Sequence, residues 1–354
     1  MKKVMTQLLV VVACTACGQG KPTNKAVPEQ VKALPTLPNV EVVVPTVGVA
    51  AGAVVPPSVL TGSAPLTWQR SEFANLPWGN GPLQAGRLNQ GEQNPEAPMA
   101  LDADAEGNVW LLDQINERVV VLDGKGGSRV IKVGRTVQDL AVEPTGALWT
   151  LDRLVAKAAE RRDGQSGAVL QTVGLVSAKI AEPGLTSGLF VHDGGVFVEV
   201  EHTALRRIAG TPGVDLRNRP SADGKWLLAA LRVPPDKVAV AGRAPTAAED
   251  QAPGLALQGQ FSIPVAEIIE LAGDLAGRVW LAADLVQVGP DNKPTAVKRE
   301  AIAWGPDGKE VARLEMCAPV GPEEQFRTVR VKPGGALYNL CRGPAGVVIE
   351  RWAP

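Results

Sequence analysis

The chain has 354 residues, a formal net charge of −1 and a 45% share of apolar residues. That apolar content supports a large core and excludes general disorder. Lys and Arg are scattered, so the charge leaves no electrostatic footprint for nucleic acid, and no nucleic-acid partner is expected. The aromatic set is uneven, with eight Trp against a single Tyr.

The first residues read MKKVMTQLLVVVACTACGQG. Lys2 and Lys3 give a positive start, Val4 to Ala13 a short apolar run, and small residues precede a Cys, which are the three parts of an export signal. The run is too short for a bilayer span, which takes about 20 residues. The arrangement resembles the lipobox of bacterial lipoproteins, in which the Cys is lipidated and becomes the mature N-terminus. Two frames are open. Val11-Val12-Ala13-Cys14 fits the usual residue classes, while Cys14-Thr15-Ala16-Cys17 gives a more usual signal length. The expectation is a signal peptide over residues 1–17 with the lipid on Cys17, and Cys14 as the alternative attachment site. An ordinary cleaved secretory signal is the competing reading. No Asp follows either Cys, which by analogy with enteric bacteria favours the outer membrane over the inner.

Residues 18–66 read as a tether. Pro22, Pro28, Pro35, Pro38, Pro45, Pro56, Pro57 and Pro65 interrupt Val, Ala and Thr, and Pro removes donors and fixes φ, so an extended, semi-rigid spacer is expected. Val40 to Val55 is apolar enough to lie on a surface.

From residue 67 to 354 one plan repeats: an apolar strand, a turn with Gly, one variable residue, then an aliphatic and an aromatic residue. The copies are DAEGNVW ending at Trp110, EPTGALW at Trp149, HDGGVF at Phe197, SADGKW at Trp226, DLAGRVW at Trp280 and KPGGALY at Tyr338. The fourth lacks the aliphatic position. Gly supplies the φ > 0 geometry of a tight hairpin, and the aromatic gives the second strand a large packing surface. The better copies continue with two more strands: RVVVLD and SRVIKVG in the first, EAIAWG and EVARLEM in the fifth. Four short strands per repeat predict an all-β fold, a β-propeller of about six four-stranded blades. The last repeat has three strands before the chain reaches Pro354, so an N-terminal strand is expected to close the ring. Leu83 to Gln90 is the segment assigned to that role.

The first repeat, ALDADAEGNVWLLDQINERVVVLD, resembles an NHL repeat, matching its pattern at Gly107, Val109, Trp110, Asp113, Asn116, Arg118 and Val119. The second keeps Gly146, Leu148, Trp149 and Asp152. The resemblance implies a propeller and no particular activity, since this fold hosts binders and unrelated enzymes. The metal-binding pattern of gluconolactonase-like propellers, an Asn-Gly stretch leading into a Ser-Pro-Asp-Gly turn, is absent: Arg219-Pro220 precedes SADGKW. No catalytic residue and no metal site are assigned, and no cofactor is expected. A ring of Asp113, Asp152 and Asp284 holding Ca²⁺ is the weaker alternative to each Asp capping backbone N–H groups at its strand end.

His192 and His202 fall at opposite ends of one strand. Seven or so residues at ~3.3 Å each put them roughly 20 Å apart, too far to share a metal or a proton. Cys317 and Cys341 end strands on the same face of adjacent blades, and in an exported protein a disulfide between them is expected. The loops between second and third strands, with those between blades, form one face. Long excursions are expected there at residues 285–299 and 244–264. Asp113, Asn116, Asp152, Arg153, His202, Asp284 and Arg342 lie near that face, which is the candidate site for a protein or envelope component. A metal-dependent lactonase or esterase using the channel is the alternative function.

Overall fold

The computed structural model describes residues 67–89, 95–202, 204–248, 251–318, 321 and 323–354. The signal, both candidate lipid-attachment cysteines and the proline-rich stretch lie outside them.

Strand β1 (Gln69–Pro77) comes first and finds its partner only at the other end of the chain. The first blade is β2 (Ala100–Ala103), β3 (Val109–Asp113), β4 (Arg118–Leu122) and β5 (Ser128–Lys132). The second is β6 (Asp139–Val142), β7 (Leu148–Asp152), β8 (Ala158–Arg162) and β9 (Val169–Gly174). The third has β10 (Thr186–His192), β11 (Gly195–Val200) and β12 (Ala204–Gly210), its fourth strand reduced to a bridge between Leu205 and Leu216. The fourth is β13 (Arg219–Pro220), β14 (Leu227–Val233), β15 (Lys237–Arg243) and β16 (Leu255–Gln260). The fifth is β17 (Val265–Gly273), β18 (Val279–Val288), β19 (Pro294–Trp304) and β20 (Glu310–Met316). The sixth is β21 (Val329–Val331), β22 (Leu337–Arg342) and β23 (Gly346–Ala353), with β1 as its outermost strand. Among the described residues, helix is confined to single 3₁₀ turns at Gln114–Asn116 and Pro183–Leu185. The chain forms the six-bladed β-propeller that its repeats predict.

The recurring turns work as a unit. Gly107 and Gly146 take φ of +86° and +83°, a conformation strained for any residue with a Cβ. The acid that opens the turn accepts the indole N–H of the aromatic that ends it. Trp110 Nε1 donates to Asp104 at 2.9 Å, Trp149 Nε1 to Glu143 at 2.6 Å and Trp280 Nε1 to Asp274 at 3.0 Å. These indoles are buried between blades, so their N–H groups need an acceptor that the apolar seam does not offer. The Arg161 guanidinium, bonded to both Glu143 oxygens, holds that carboxyl down at about 2.

Apolar side chains fill the seams between blades. Leu101, Leu111, Leu340 and Ile349 join the sixth blade to the first, and Trp110 and Val119 meet Leu140 and Leu148 across the next seam. Trp149 and Leu151 pack on Leu189 and Val198, Leu228 and Val240 on Leu271 and Leu281, and Trp280 and Ala282 on Val329 and Leu337. None of these clusters spans the third and fourth blades. That seam carries instead the ion pair of Glu199 with Arg219.

Closure comes from a different N-terminal segment than expected. β1 pairs antiparallel with β23 from Gln69 opposite Ala353 to Pro77 opposite Gly346. Residues 83–89 follow it in a turn, where the Ala85 amide bonds the Pro77 carbonyl at 2.9 Å and Leu88 exchanges bonds with Glu96; Gln90 is outside the described residues. β1 is outermost and mostly exposed, so it shows little apolar alternation. The excursion at 285–299 is also corrected. Leu285 opposite Lys298, Val286 opposite Val297 and Gln287 opposite Ala296 extend the β18–β19 ladder, leaving only a tight turn at its tip. Within 244–264, Leu255–Gln260 is a full fourth strand, with Leu257 and Gly259 inward and Ala256 and Gln258 outward. Its lack of β-branched residues hid it.

The corrected closure makes a direct prediction. Leu76 of β1 is 1% exposed, whereas Leu83 is 44% exposed. Leu76→Ala should cost about 2–4 kcal/mol in denaturant unfolding, and Leu83→Ala within about 0.5 kcal/mol. Equal losses would show that residues 83–89 share the closing role.

Candidate functional site

The innermost strands β2, β6, β10, β13, β17 and β21 surround the channel. Each has one neighbour strand, so its other edge faces the axis with unpaired N–H and C=O groups. Backbone of the next blade satisfies some of them, as where the Leu101 amide bonds the Arg327 carbonyl at 3.0 Å, and charged side chains of adjacent blades satisfy others. Asp102 Oδ2 accepts the Val142 amide at 2.9 Å, and Asp139 Oδ2 accepts the Leu189 amide at 2.7 Å. Arg330 donates through Nε to the Leu101 carbonyl at 3.0 Å and through Nη2 to the Leu140 carbonyl at 3.1 Å. Arg327 donates through Nη1 to the Leu189 carbonyl and to Asp139 at 3.1 Å.

Register explains why these residues meet. Asp102 sits opposite Trp110, Phe190 opposite Phe197 and Arg330 opposite Tyr338, the same rung in different blades. Two rungs further along, and so on the same face of the sheet, Asp139 sits opposite Leu151, Glu199 opposite Gly188 and Glu270 opposite Ala282. The Phe190 ring lies among arginines, with guanidinium carbons of Arg327, Arg219 and Arg330 at 3.9, 5.1 and 5.9 Å from its centroid. Cations this close require counter-charge. Glu199 takes Arg219 through both oxygens, at 2.6 and 2.9 Å, and Lys332 Nζ is 2.9 Å from Asp102.

The carboxyls divide into two kinds. Burial works to raise Asp102 and Glu199, but Lys332 with Arg330, and Arg219 with His202, hold them below the ordinary carboxylate range. Burial pushes Asp139 up to about 7 against the pull of Arg330 and two backbone amides. It pushes Glu270 up to about 7 as well, against Arg330 and Arg219. Glu270 Oε2 has no hydrogen-bond partner, its closest cation being Arg219 Nη1 at 3.7 Å. Above this network a cavity of about 170 Å³ opens on the face that carries the glycine turns, lined among others by Phe190, His192, Glu270, Arg330 and Lys332.

The residues singled out from sequence sit at the opposite face, and most are bonded within the protein. Asp113 accepts the Gly86 amide, Asn116 Nδ2 and Arg118 Nε, all within 2.9 Å, and is fully buried. Asp152 accepts the Thr136 hydroxyl and the Val155 amide, and Asp284 holds Arg299 through both oxygens. Asn116 Nδ2 also reaches the Gly79 carbonyl. Arg153 bonds the Gly184 and Thr186 carbonyls and lies 5.0 Å from the Phe326 ring centroid. Arg342 is buried on the Glu324 carbonyl, and burial pulls it down to about 10. His202 is exposed, with Nδ1 at 3.3 Å from Glu199. Burial and Asp284 raise the Glu267 carboxyl, and His202 pulls it back. His192 lies at the other end of β10, in the turn-side cavity.

Asp113, Asp152 and Asp284 thus each have both oxygens engaged by partners within the protein, a different set for each. Among the described residues, the one grouping of His, Cys, Asp and Glu ligand atoms close enough to share an ion is Cys317, Cys341 and Glu350. Its two cysteines are joined as a disulfide, with Cα atoms 5.9 Å apart.

The channel network escaped the sequence reading, although a signal existed. Asp102 in MALDAD, Asp139 in QDLAVEP, Glu270 in IIELAGD and Arg330 in RTVRVK are charges inside otherwise apolar first strands. A charge in that position of a propeller repeat faces the axis.

No protein-family model matches the chain, and no curated protein matches it. Solved structures of similar architecture include virginiamycin B lyase from Staphylococcus aureus, at 8% identity over 81% of this chain and 100% of that one, with a TM-score of 0.39. Regucalcin from Agrobacterium tumefaciens matches at 17% identity over 75% of this chain and 92% of that one, TM-score 0.42. BamB from Moraxella catarrhalis matches at 10% identity over 82% and 99%, TM-score 0.35. At these identities the likeness concerns fold alone.

The raised carboxyls set a pH dependence. Asp139 and Glu270 bind protons in the folded state from about pH 7 downward, while in the unfolded chain they bind them only near pH 4. Folding stability should therefore rise as pH falls from about 8 to about 5, by on the order of 1–3 kcal/mol per carboxyl. Glu270→Gln should flatten that rise in urea melts. A wild-type slope retained in full would remove Glu270 from the effect.

Proposed function

We propose that this chain is a lipid-anchored bacterial envelope protein whose propeller is a binding module for a protein or envelope component. The observation that carries the binding reading is an apolar patch on the face opposite the glycine turns. Leu154, Val155, Val176 and Leu185 are 51%, 69%, 63% and 47% exposed. Their loops meet: Leu154 Cδ2 would lie 3.8 Å from a Cβ on Gly184, beside Leu185, and the Leu175 amide, beside Val176, bonds the Lys157 carbonyl at 2.8 Å. Beneath them Asp152 and Arg153 fix the loop through Val155, Gly184 and Thr186. Adjacent exposed aliphatic side chains on a braced loop are what a partner-binding surface requires. The partner is a protein or envelope polymer that buries these side chains. The commitment of Asp113, Asp152 and Asp284 to internal partners favours this reading over a metal-dependent hydrolase.

Two measurements test the two halves. A photo-crosslinking residue placed at Val155 in the producing bacterium should capture one reproducible partner, and Leu154→Asp should abolish the adduct while leaving the melting temperature within a few degrees. An adduct indifferent to Leu154→Asp would count against the patch. For the anchor, labelled fatty acid should enter the wild type and Cys14→Ser but not Cys17→Ser. Label in Cys17→Ser would move the attachment to Cys14, and no label in the wild type would remove the anchor.

A further inference from the structure

The turn-side mouth of the channel has a hydrogen-bonding capacity that the protein does not use. Arg219 gives Nε and Nη2 to Glu199, and Arg330 gives Nε and Nη2 to backbone carbonyls. Arg327 gives Nη1 to Asp139 and Leu189. A guanidinium carries five N–H groups, so Nη1 of Arg330 and Nη2 of Arg327 stand outside these bonds, and Nη1 of Arg219 makes none, facing Glu270 Oε2 at 3.7 Å. Lys332 spends its bond on Asp102 and is still 22% exposed. All of these residues line the cavity of about 170 Å³.

We propose that this cavity is a binding site for a small oxyanion, a carboxylate or a phosphate, held by Arg219, Arg330 and Lys332 beside the Phe190 ring. Size sets the class. Ligand pockets for larger organic molecules run to roughly 300 Å³ and above, and a water takes up about 30 Å³, so this cavity fits a few waters or one small acid. Charge sets the sign. Arg219, Arg327, Arg330 and Lys332 face Asp102, Asp139, Glu199 and Glu270 in and below the cavity. Glu270 supplies the remaining observation: it is 4% exposed, lines the cavity and has an oxygen with no hydrogen-bond partner, 3.7 Å from Arg219 Nη1. Burial lifts it to about 7, so near neutrality it carries a proton for part of the time. A protonated carboxyl donates an O–H bond, which an oxyanion accepts, and its neutralisation leaves the wall net positive. Val142, Pro220 and Pro333 add apolar side chains to the lining.

The site is on the face opposite the Leu154–Val155 patch, so its test does not depend on the docking reading. Isothermal titration of the purified protein with inorganic phosphate, and separately with succinate, should give saturable binding of at least one at millimolar concentration. Phosphate alone identifies a phosphate site, succinate alone a carboxylate site, and both a general oxyanion site. Lys332→Gln should weaken the bound anion about tenfold, as expected for loss of one charge-assisted hydrogen bond. Lys309→Gln, at an 82% exposed turn side chain, should leave it unchanged. His192→Trp fills the mouth without touching the ion pairs and should abolish binding. It also covers the case in which Lys332→Gln fails to fold, which thermal melting reveals. No saturable heat with either anion, or affinity unchanged in His192→Trp, overturns the proposal.

Discussion

A ring of radial sheets is stable only when each blade has a neighbour on both faces, and that condition rests here on the pairing of β1 with β23. Every seam between blades is built from side chains of two sheets, so no single blade completes its own core. Without β1, the sixth blade would end on a free edge and Phe73, Leu76 and Ala85 would leave the last seam. One antiparallel pairing between residues near opposite ends of the described chain fastens the whole ring. Its entropic cost is that of a single long loop, which grows only slowly with length.

The same closure assembles the channel. Arg327, Arg330 and Lys332 belong to the last blade, yet their partners are Asp139, Leu101 and Asp102 of the first two. Buried ion pairs seldom add net stability over an apolar replacement, because desolvation consumes most of the Coulomb gain. Here apolar replacements would have a second cost. The amides of Val142 and Leu189 and the carbonyls of Leu101 and Leu140 would lose their partners at an edge that no further strand covers. The charges are present because inner strands have an unpaired edge, and they balance one another because that edge needs donors and acceptors in similar number. Polar capacity left over at the turn-side mouth is then a by-product of geometry: a guanidinium offers more N–H groups than two backbone carbonyls can use.

How legible this was depended on the range of each signal. The blades were readable because the turn from Asp104 to Trp110, with Gly107 at positive φ, is local and recurs at Glu143–Trp149 and Asp274–Trp280. Cys317 and Cys341 could be matched from strand direction alone. β1 was misplaced because an outermost strand carries no buried alternation, and β16 because Leu, Ala, Gln and Gly do not look like a strand until their partners in β15 are known. Of the side chains named for the candidate face, Asp113, Asp152 and Asp284 engage partners within the protein. Asp113 and Asp152 do the capping work that their position after a strand suggests. The channel charges needed both the blade register and the ring order, and neither exists in one repeat taken alone.

The third and fourth blades show what happens when the outer part of a blade is cut short. With the fourth strand reduced to the Leu205–Leu216 bridge, too little apolar surface is left to cover the face of β14 and β15. A cleft of about 920 Å³ opens there, lined by Ala204, Leu216, Leu227, Ala229 and Ala241 among others. Near the axis the seam is carried by Arg219 on Glu199, a pair that Ser187 and His202 extend toward the opposite face. This seam therefore depends on an ion pair where the others depend on buried area, and the two respond differently to conditions. Apolar seams weaken on cooling, whereas a partly buried ion pair responds to the protonation of its carboxyl and little to salt. Arg219 also borders Phe190 and Glu270, so the seam that no apolar cluster spans among the described residues is tied directly to the channel.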